Sequence, residues 1–271
     1  MPYVIIQCGS SARGDANNNS DVDLVCIWSE NQPDFKKITA EYGDIMFYSQ
    51  ETIRRMKEKG SLFLTHLDVD GIYVTGDRSL LDNFKNFRPK KHHLAKQLSH
   101  TKKFIQNIQW YPNNAIGKLW LCDVLYVSLR SCIYCKNAIN KIYSFGYLGA
   151  LSKHGLSEQD IKTMLDIREG KYLYRSQNLK KPLKNEHLNL NIDSIKYICQ
   201  VITGYPLQLS PGGSTNWKKI KDTDYWSERL IERAILNGEY LDEKFLLNIR
   251  KHNYHKFEIK SEIAKIIENH T

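Results

Sequence analysis

The stretch from Cys8 to Trp28 constrains the fold more than any other part of the chain, because two short apolar runs flank a tract of small and polar residues. The runs "YVIIQC" and "DLVCIW" are typical of buried strands. The tract between them ends in a carboxylate pair, Asp21 and Asp23, whose side chains point the same way if the chain is extended there. Two like charges this close repel each other. The pattern therefore predicts a bound cation or side chains that stand freely in water.

Two more apolar runs and two short helical patterns complete a mixed layer over residues 1 to about 80. The runs "DIMFYS" (44–49) and "GIYVTGD" (71–77) predict strands, and Ser49 fits the N-cap of a helix over "QETIRRMKEK". The run "SLFLTHL" predicts another short helix. Beyond "NFRPKKHH" (86–93) the apolar spacing becomes helical, as in a helix bundle. Helices are predicted over 93–110, 115–140, 157–169, 191–203, 225–237, 241–251 and 255–269.

The composition is that of a globular protein with a basic excess. The 271 residues are 41% hydrophobic and 25% charged, which argues against disorder throughout. Lysine and arginine number 39 against 30 acidic residues, and the net charge of +9 favours polyanions or nucleotides as partners. The six cysteines lie mostly in apolar segments and predict buried, reduced thiols. We see no secretory signal and no membrane-length apolar run, and we expect a cytoplasmic protein without a membrane partner.

A third carboxylate, Asp44, precedes the next predicted strand in the same way as Asp23. If the two strands are neighbours, the three carboxylates converge, and such a cluster suits Mg²⁺. Two ions held by shared carboxylates are suited to in-line attack on phosphorus. The preceding loop supplies groups that bind phosphate. Gly9 permits close approach of the backbone, Ser10 and Ser11 offer donors, and Arg13 offers a fork of N–H groups, unless it pairs with Asp15 or solvent.

The string "GS…SDVDL", with a third Asp on a following strand, resembles the DNA polymerase β-like nucleotidyltransferase superfamily. The small-residue spacing and "ARGD" resemble its minimal, MNT-like prokaryotic members. The resemblance covers about the first 80 residues. It implies an α+β fold, a mixed sheet flanked by helices, in a catalytic domain over 1–88. A helical, acceptor-binding domain over 89–271 then follows, similar only in class to the companion domain of aminoglycoside nucleotidyltransferases.

The same resemblance implies an enzyme that moves a nucleoside monophosphate from an NTP to an acceptor hydroxyl and releases pyrophosphate. Asp21, Asp23 and Asp44 would bind two Mg²⁺ ions, and Asp44 would also lower the pKa of the acceptor hydroxyl or accept its proton. Gly9, Ser10, Ser11 and Arg13 would hold the triphosphate and the leaving pyrophosphate. We expect ATP as the nucleotide.

The sequence leaves the identity of the acceptor open. The basic charge favours a protein or an RNA end, in a toxin–antitoxin or defence role. An aminoglycoside-like antibiotic is the alternative acceptor. A protein of another class, a non-catalytic nucleotide sensor or antitoxin-like binding partner, is also considered, although the three carboxylates argue against it.

Four other patterns have plain structural interpretations. Asp68 and Asp70 are predicted to shape a turn, and His66 to pack or cap. Two R-x4-H strings, at 88–93 and 250–255, resemble the ribonuclease motif of HEPN domains. The first contains Pro89 and lies at a domain boundary, and the second lies in a basic stretch where chance matches are easy. The basic stretches 88–93 and 217–222 fit either nucleic-acid contact or a solvated surface.

Overall fold

The computed structural model describes residues 3–16, 22–176, 191–220, 223–251 and 256–270. Its N-terminal part contains one four-stranded sheet with the strand order β3-β2-β1-β4. The central strand β1 pairs antiparallel with β2 and β4, and β2 pairs parallel with β3. The strands are β1 (Tyr3–Cys8), β2 (Asp23–Trp28), β3 (Ile45–Ser49) and β4 (Ile72–Gly76). The four predicted strands are therefore confirmed, and the sheet is mixed.

Short helices connect these strands. They are α1 (Gly9–Arg13), α2 (Phe35–Tyr42), α3 (Gln50–Glu58) and α4 (Leu62–Asp70), with a 3₁₀ helix at Arg78–Asn83 after β4. Ser49 caps α3 as predicted, and its hydroxyl accepts a hydrogen bond from the Thr52 amide at 3.1 Å. The first turn after β1 was predicted as loop and is helical. The "SLFLTHL" helix extends to Asp70, so Asp68 and Asp70 lie inside a helix and not in the predicted turn.

Apolar residues cover both faces of the sheet, because alternate side chains of β1 and β2 point to opposite sides. On one face, Val25 and Ile27 pack with Ile53 of α3 and Leu64 of α4. On the other face, the cluster of Ile5, Leu24, Cys26 and Ile45 packs against Ile38 of α2. The sheet is therefore the middle layer of an α+β fold.

The rest of the described chain is mainly helical, as predicted. The helices are α5 (Lys91–Asn107), α6 (Ala115–Ile139), α7 (Tyr147–Lys153), α8 (Glu158–Ser176), α9 (Ile192–Thr203), α10 (Tyr225–Leu236), α11 (Glu243–Lys251) and α12 (Lys256–His270). Two short strands, β5 (Trp110–Tyr111) and β6 (Ser210–Pro211), pair in parallel, and a 3₁₀ helix covers Trp217–Lys219. Within the described residues, none of these helices has the length and apolar character that a bilayer crossing requires.

The chain divides into two compact units. The first comprises residues 1–100 and 131–157, and the second comprises residues 101–130 and 158–271. In the first unit, Leu94 of α5 and Cys135 and Ala138 of α6 share an apolar cluster with Phe145. In the second unit, apolar residues of α10, α11 and α12 form one cluster. The domain bounds 1–88 and 89–271 remain a prediction, since compact units need not coincide with domains.

All six cysteines are buried thiols without a disulfide. Burial raises the pKa of the Cys26 thiol to about 11 and that of Cys135 to about 12. This state agrees with the reduced, core-filling role expected from their apolar surroundings.

Candidate active site

The end of β1 and the start of β2 place a glycine against a carboxylate. Cys8 is paired with Asp23 across the antiparallel strands, and Gly9 follows directly in α1. A β-carbon on Gly9 would clash with the Asp23 carboxylate, and Gly9 also has a φ of +75°. Only glycine satisfies both conditions without strain. The side chain of Asp23 is therefore held above the turn that carries Ser10 and Ser11.

The parallel pairing of β2 with β3 brings the start of β3, which Asp44 precedes, to the same end of the sheet as the start of β2. Leu24 pairs with Ile45 in parallel register, and Asp23 and Asp44 directly precede these two residues in sequence. Adjacent strands lie about 4.8 Å apart. Leu24 and Ile45 share one core cluster, so residues one position earlier belong to the opposite face, the face of Cys8. Asp23 and Asp44 are both exposed, as carboxylates that meet a ligand must be.

Of the remaining predicted ligand residues, Ser10 and Ser11 are described by the structure and Asp21 is not. Ser10 and Ser11 are half-buried in the first turn of α1, and the backbone carbonyl of Ser10 accepts a hydrogen bond from the Asp15 amide at 3.1 Å. Asp21 lies outside the described residues. Within the described part of the chain, no group of three or more His, Cys, Asp and Glu side chains could hold a metal ion. The proposed triad therefore stays a prediction.

Arg13 is held by carboxylates on two sides. Its Nε and Nη2 atoms lie 3.3 and 3.1 Å from the two oxygens of Asp15, and its Nη1 lies 3.1 Å from Asp70 Oδ2. His66 Nε2 lies 3.2 Å from the same Nη1 atom. Burial alone would lower the pKa of Arg13, but Asp15 and then Asp70 outweigh it and raise the pKa above its ordinary value. Arg13 is thus a permanently charged, oriented group.

Residues 3–76 match the family model described as the nucleotidyltransferase domain. This segment is a nucleotidyltransferase domain. The match confirms the predicted resemblance to polymerase β-like nucleotidyltransferases and includes Gly9, Asp23 and Asp44. No curated protein matches the chain in sequence. The match supports transfer of a nucleoside monophosphate in general.

Two residues of the nucleotidyltransferase domain, His66 and Asp70, contact Arg13, although the sequence predicted only structural roles for them. Asp70 ends α4, and its carboxylate contacts both Arg13 and His66, the latter at 3.3 Å. Burial would raise the pKa of Asp70, but hydrogen bonds from His66 and then Arg13 lower it below its ordinary value. The i, i+4 spacing of His66 and Asp70 on one helix was the available signal. The predicted packing of His66 agrees with its ring contact to Phe145, at 4.8 Å between centroids.

The pKa of the buried Cys8 thiol depends on the charged groups near the end of β1. Burial, and next the negative charge of Asp23, raise the pKa of the Cys8 thiol to about 12, while Arg13 opposes the shift and Asp70 adds to it. Three charged groups therefore act on one buried atom at the end of β1. The negative charge of Asp23 thus reaches the end of β1, where the positive charge of Arg13 opposes it.

A cavity of about 440 Å³ lies in the first compact unit. Gly71, Tyr73, Arg78 and Asp82 are among its lining residues, but Asp23 and Asp44 are not. We place the candidate active site at the carboxylates and not at the cavity, because a phosphoryl transfer needs cation-binding and phosphate-binding groups close together.

The R-x4-H strings find no support as a nuclease site in the described residues. Arg88 is held by Asp68 and lies over the Tyr143 ring, 4.8 Å from its centroid. The side chain of Arg250 and all of His255 lie outside the described residues. The ribonuclease hypothesis therefore stays untested for the second string.

Proposed function

We propose that the protein is a Mg²⁺-dependent nucleotidyltransferase that moves a nucleoside monophosphate, from ATP by preference, to an acceptor hydroxyl. One observation carries the proposal. The Asp23 carboxylate lies against Gly9, directly beside the "GSS" turn, and Asp44 directly precedes Ile45, the strand partner of Leu24. Metal-binding and phosphate-binding groups are thereby within reach of one substrate molecule.

The donor set fits magnesium. Asp23 and Asp44 supply exposed carboxylate oxygens, and Asp21 precedes Asp23 by two residues. Oxygen ligands of this kind, few in number and open to water and phosphate, are those that Mg²⁺ prefers. Asp21, Asp23 and Asp44 would hold the ions, which when bound neutralise the triphosphate and the developing charge.

The chain's own residues then divide the work of the transfer. Gly9, Ser10 and Ser11 would hold the triphosphate through backbone N–H groups and hydroxyls. The bond between the acceptor oxygen and the α-phosphorus forms as the bond from that phosphorus to the leaving pyrophosphate breaks. The proton of the acceptor hydroxyl would pass to the Asp44 carboxylate.

Arg13 would assist the leaving pyrophosphate while Asp70 keeps it in place. Its Nε and Nη2 atoms face Asp15, whose side chain is 44% exposed, whereas Asp70 is 11% exposed. A phosphate oxygen pair can replace the exposed Asp15 at the same fork, because guanidinium binds both groups in a bidentate way. The buried bond from Nη1 to Asp70 would persist.

The acceptor we favour is a macromolecule, a protein or an RNA end, in a toxin–antitoxin or defence setting. The basic balance of the chain supports this choice over a polycationic antibiotic, which positive charge repels.

The test uses α-labelled NTPs with Mg²⁺ and separate protein, RNA and aminoglycoside acceptors, with pyrophosphate release as the readout. We expect Asp23→Asn and Asp44→Asn each to lower the rate by at least about 100-fold, since each removes charge that positions the substrate. Asp82→Asn is the matched control, because Asp82 is an exposed acid of the same domain. Nucleotide binding without pyrophosphate release for any acceptor would refute the enzyme and favour a sensor.

A further inference from the structure

The positive charge of this protein is concentrated in one stretch of the sequence. Residues 83–157 contain twelve lysines and arginines and a single acid, Asp123. The rest of the chain contains 27 basic and 29 acidic residues. The whole net charge of +9 therefore arises in this stretch, and a positive field of this kind attracts anionic partners.

Two parts of the stretch, 83–100 and 131–157, belong to the first unit and contain no acid at all. Their exposed lysines form what we call the basic surface: Lys85, Lys90, Lys91, Lys96, Lys141 and Lys153. The two parts pack together through Leu94, Cys135 and Ala138. Lys90 and Lys91 stand at the start of α5, whose first turn contains no acid. The helix dipole disfavours cations at that end, so folding does not explain their placement.

The loop between α6 and α7 connects the basic surface to the candidate active site. A β-carbon on Gly146 would lie 2.9 Å from Asp15 Oδ2 and 3.5 Å from Arg13 Nε. Lys141 belongs to this loop, and Tyr143 of the same loop lies under the guanidinium of Arg88, just before α5. The acid-free segments therefore adjoin the turn proposed to hold the triphosphate.

We propose that the basic surface binds the phosphate backbone of a nucleic-acid strand and so presents a terminal hydroxyl of the strand to Asp44. The proposal rests on the proposed function and narrows its acceptor. Six exposed lysines without a neighbouring acid in sequence match a uniform polyanion. Protein interfaces are depleted in lysine and pair charges of both signs, whereas lysine is a common phosphate contact in nucleic-acid complexes.

The experiment measures binding of the full chain to a labelled 20-nucleotide RNA and to a DNA strand of the same sequence, by fluorescence anisotropy across a salt series. No nucleotide or metal is added. The test variant carries Lys90→Gln, Lys91→Gln and Lys96→Gln. The control variant carries Lys36→Gln, Lys37→Gln and Lys59→Gln, which removes three exposed charges from the same unit.

We expect the test variant to bind at least tenfold more weakly at low salt. The slope of log K against log salt is negative, and each lost phosphate contact makes it less steep by about 0.7. The loss of three contacts should therefore make it less steep by about 2. The control variant should keep the wild-type slope. A triple Lys→Arg variant at 90, 91 and 96 should restore binding, which separates lost charge from a folding defect.

The following outcomes decide the proposal. The proposal is supported if wild type binds one strand, RNA or DNA, more strongly than the other. The strand that is bound more strongly identifies the source of the phosphates. Equal weakening of both triple variants overturns it, because bulk charge alone would then explain binding. Absence of strand binding overturns it as well, and so does tighter binding of labelled polyglutamate in the same anisotropy assay. Strand binding without pyrophosphate release would refute only the enzyme, and pyrophosphate release to another acceptor without strand binding would refute only this inference.

Discussion

At the scale of single residues, the candidate active site depends on positions where one side chain fixes what its neighbour can be. Gly9 and Asp23 contact each other closely enough that residue 9 has no room for a side chain. Arg13, Asp70 and His66 share one group of hydrogen bonds at the end of α4. Each arrangement leads to a test in which a strained or paired residue is compared with a matched one.

Gly9→Ala should abolish transfer, because it displaces the Asp23 carboxylate as well as straining the backbone. Gly14→Ala is the control, since Gly14 has the same φ of +75° but nothing within 4 Å of its β-carbon position. We expect Gly14→Ala to cost about 1–2 kcal/mol of unfolding free energy and to retain most of the activity. We expect Gly9→Ala to cost more and to lower the rate at least about 100-fold. Denaturant unfolding and pyrophosphate release measure both, and equal activities would contradict the contact.

Asp70→Asn should destabilise the protein in a pH-dependent way. The pKa of Asp70 is lowered in the folded state, so its stabilising effect is present above the unfolded-state value near 4 and is lost as the pH falls through the folded value. The difference in unfolding free energy between wild type and Asp70→Asn should be about 1–3 kcal/mol at pH 6 and shrink towards pH 3. Denaturant melts at several pH values test this. Asp82→Asn, at an exposed position, should show no such trend.

At the scale of helices and strands, sequence patterns located elements better than the contacts between them. The four strands follow directly from short apolar runs, and the Ser49 cap follows from capping preference. Sequence reasoning missed α1 and α7, because five- and seven-residue helices rich in glycine and serine have too few turns to show periodicity. The Arg13–Asp70 pair was also missed, since its members are 57 residues apart in sequence and only the fold brings them together.

Helix α10 gives the clearest example of what periodicity cannot show. Its charged residues look like a solvated face, yet Glu228, Arg229, Glu232 and Arg233 are all buried. Arg229 contacts Glu232 at 2.8 Å and Asp123 of α6 at 2.6 Å. Burial would raise the pKa of Asp123, but Arg229 and then Arg175 lower it. The buried Arg229 of α10 is thus matched by Asp123 of another helix, a pairing that no single segment reveals.

Asp123→Asn should cost about 3–5 kcal/mol of unfolding free energy, because it leaves Arg229 buried without its full countercharge. Asp193→Asn is the comparison. Asp193 is 91% exposed and pairs with Lys196 at 3.5 Å, so its loss should change the free energy by less than about 0.5 kcal/mol. Urea denaturation measures both values. A cost below about 1 kcal/mol for Asp123→Asn would show that the buried charges are not coupled as described.

At the scale of the whole molecule, binding should appear as added stability. At 100 times its dissociation constant, a ligand that binds only the folded state adds about 2.7 kcal/mol, or roughly 10 °C for a unit of this size. We expect Mg²⁺ with a non-hydrolysable ATP analogue to raise the melting temperature of wild type and of Asp82→Asn. Asp23→Asn should gain little. A full shift in Asp23→Asn, measured by scanning calorimetry, would remove that carboxylate from the nucleotide site.

The close contact between Gly9 and Asp23 also limits how this sequence can drift over evolutionary time. A methyl group at position 9 is compatible with the backbone only if residue 23 shortens or turns away, so the two positions must change together. Relatives that keep both residues should retain the chemistry. Relatives in which both residues are replaced should be pseudoenzymes, which keep the sheet but have lost the reaction.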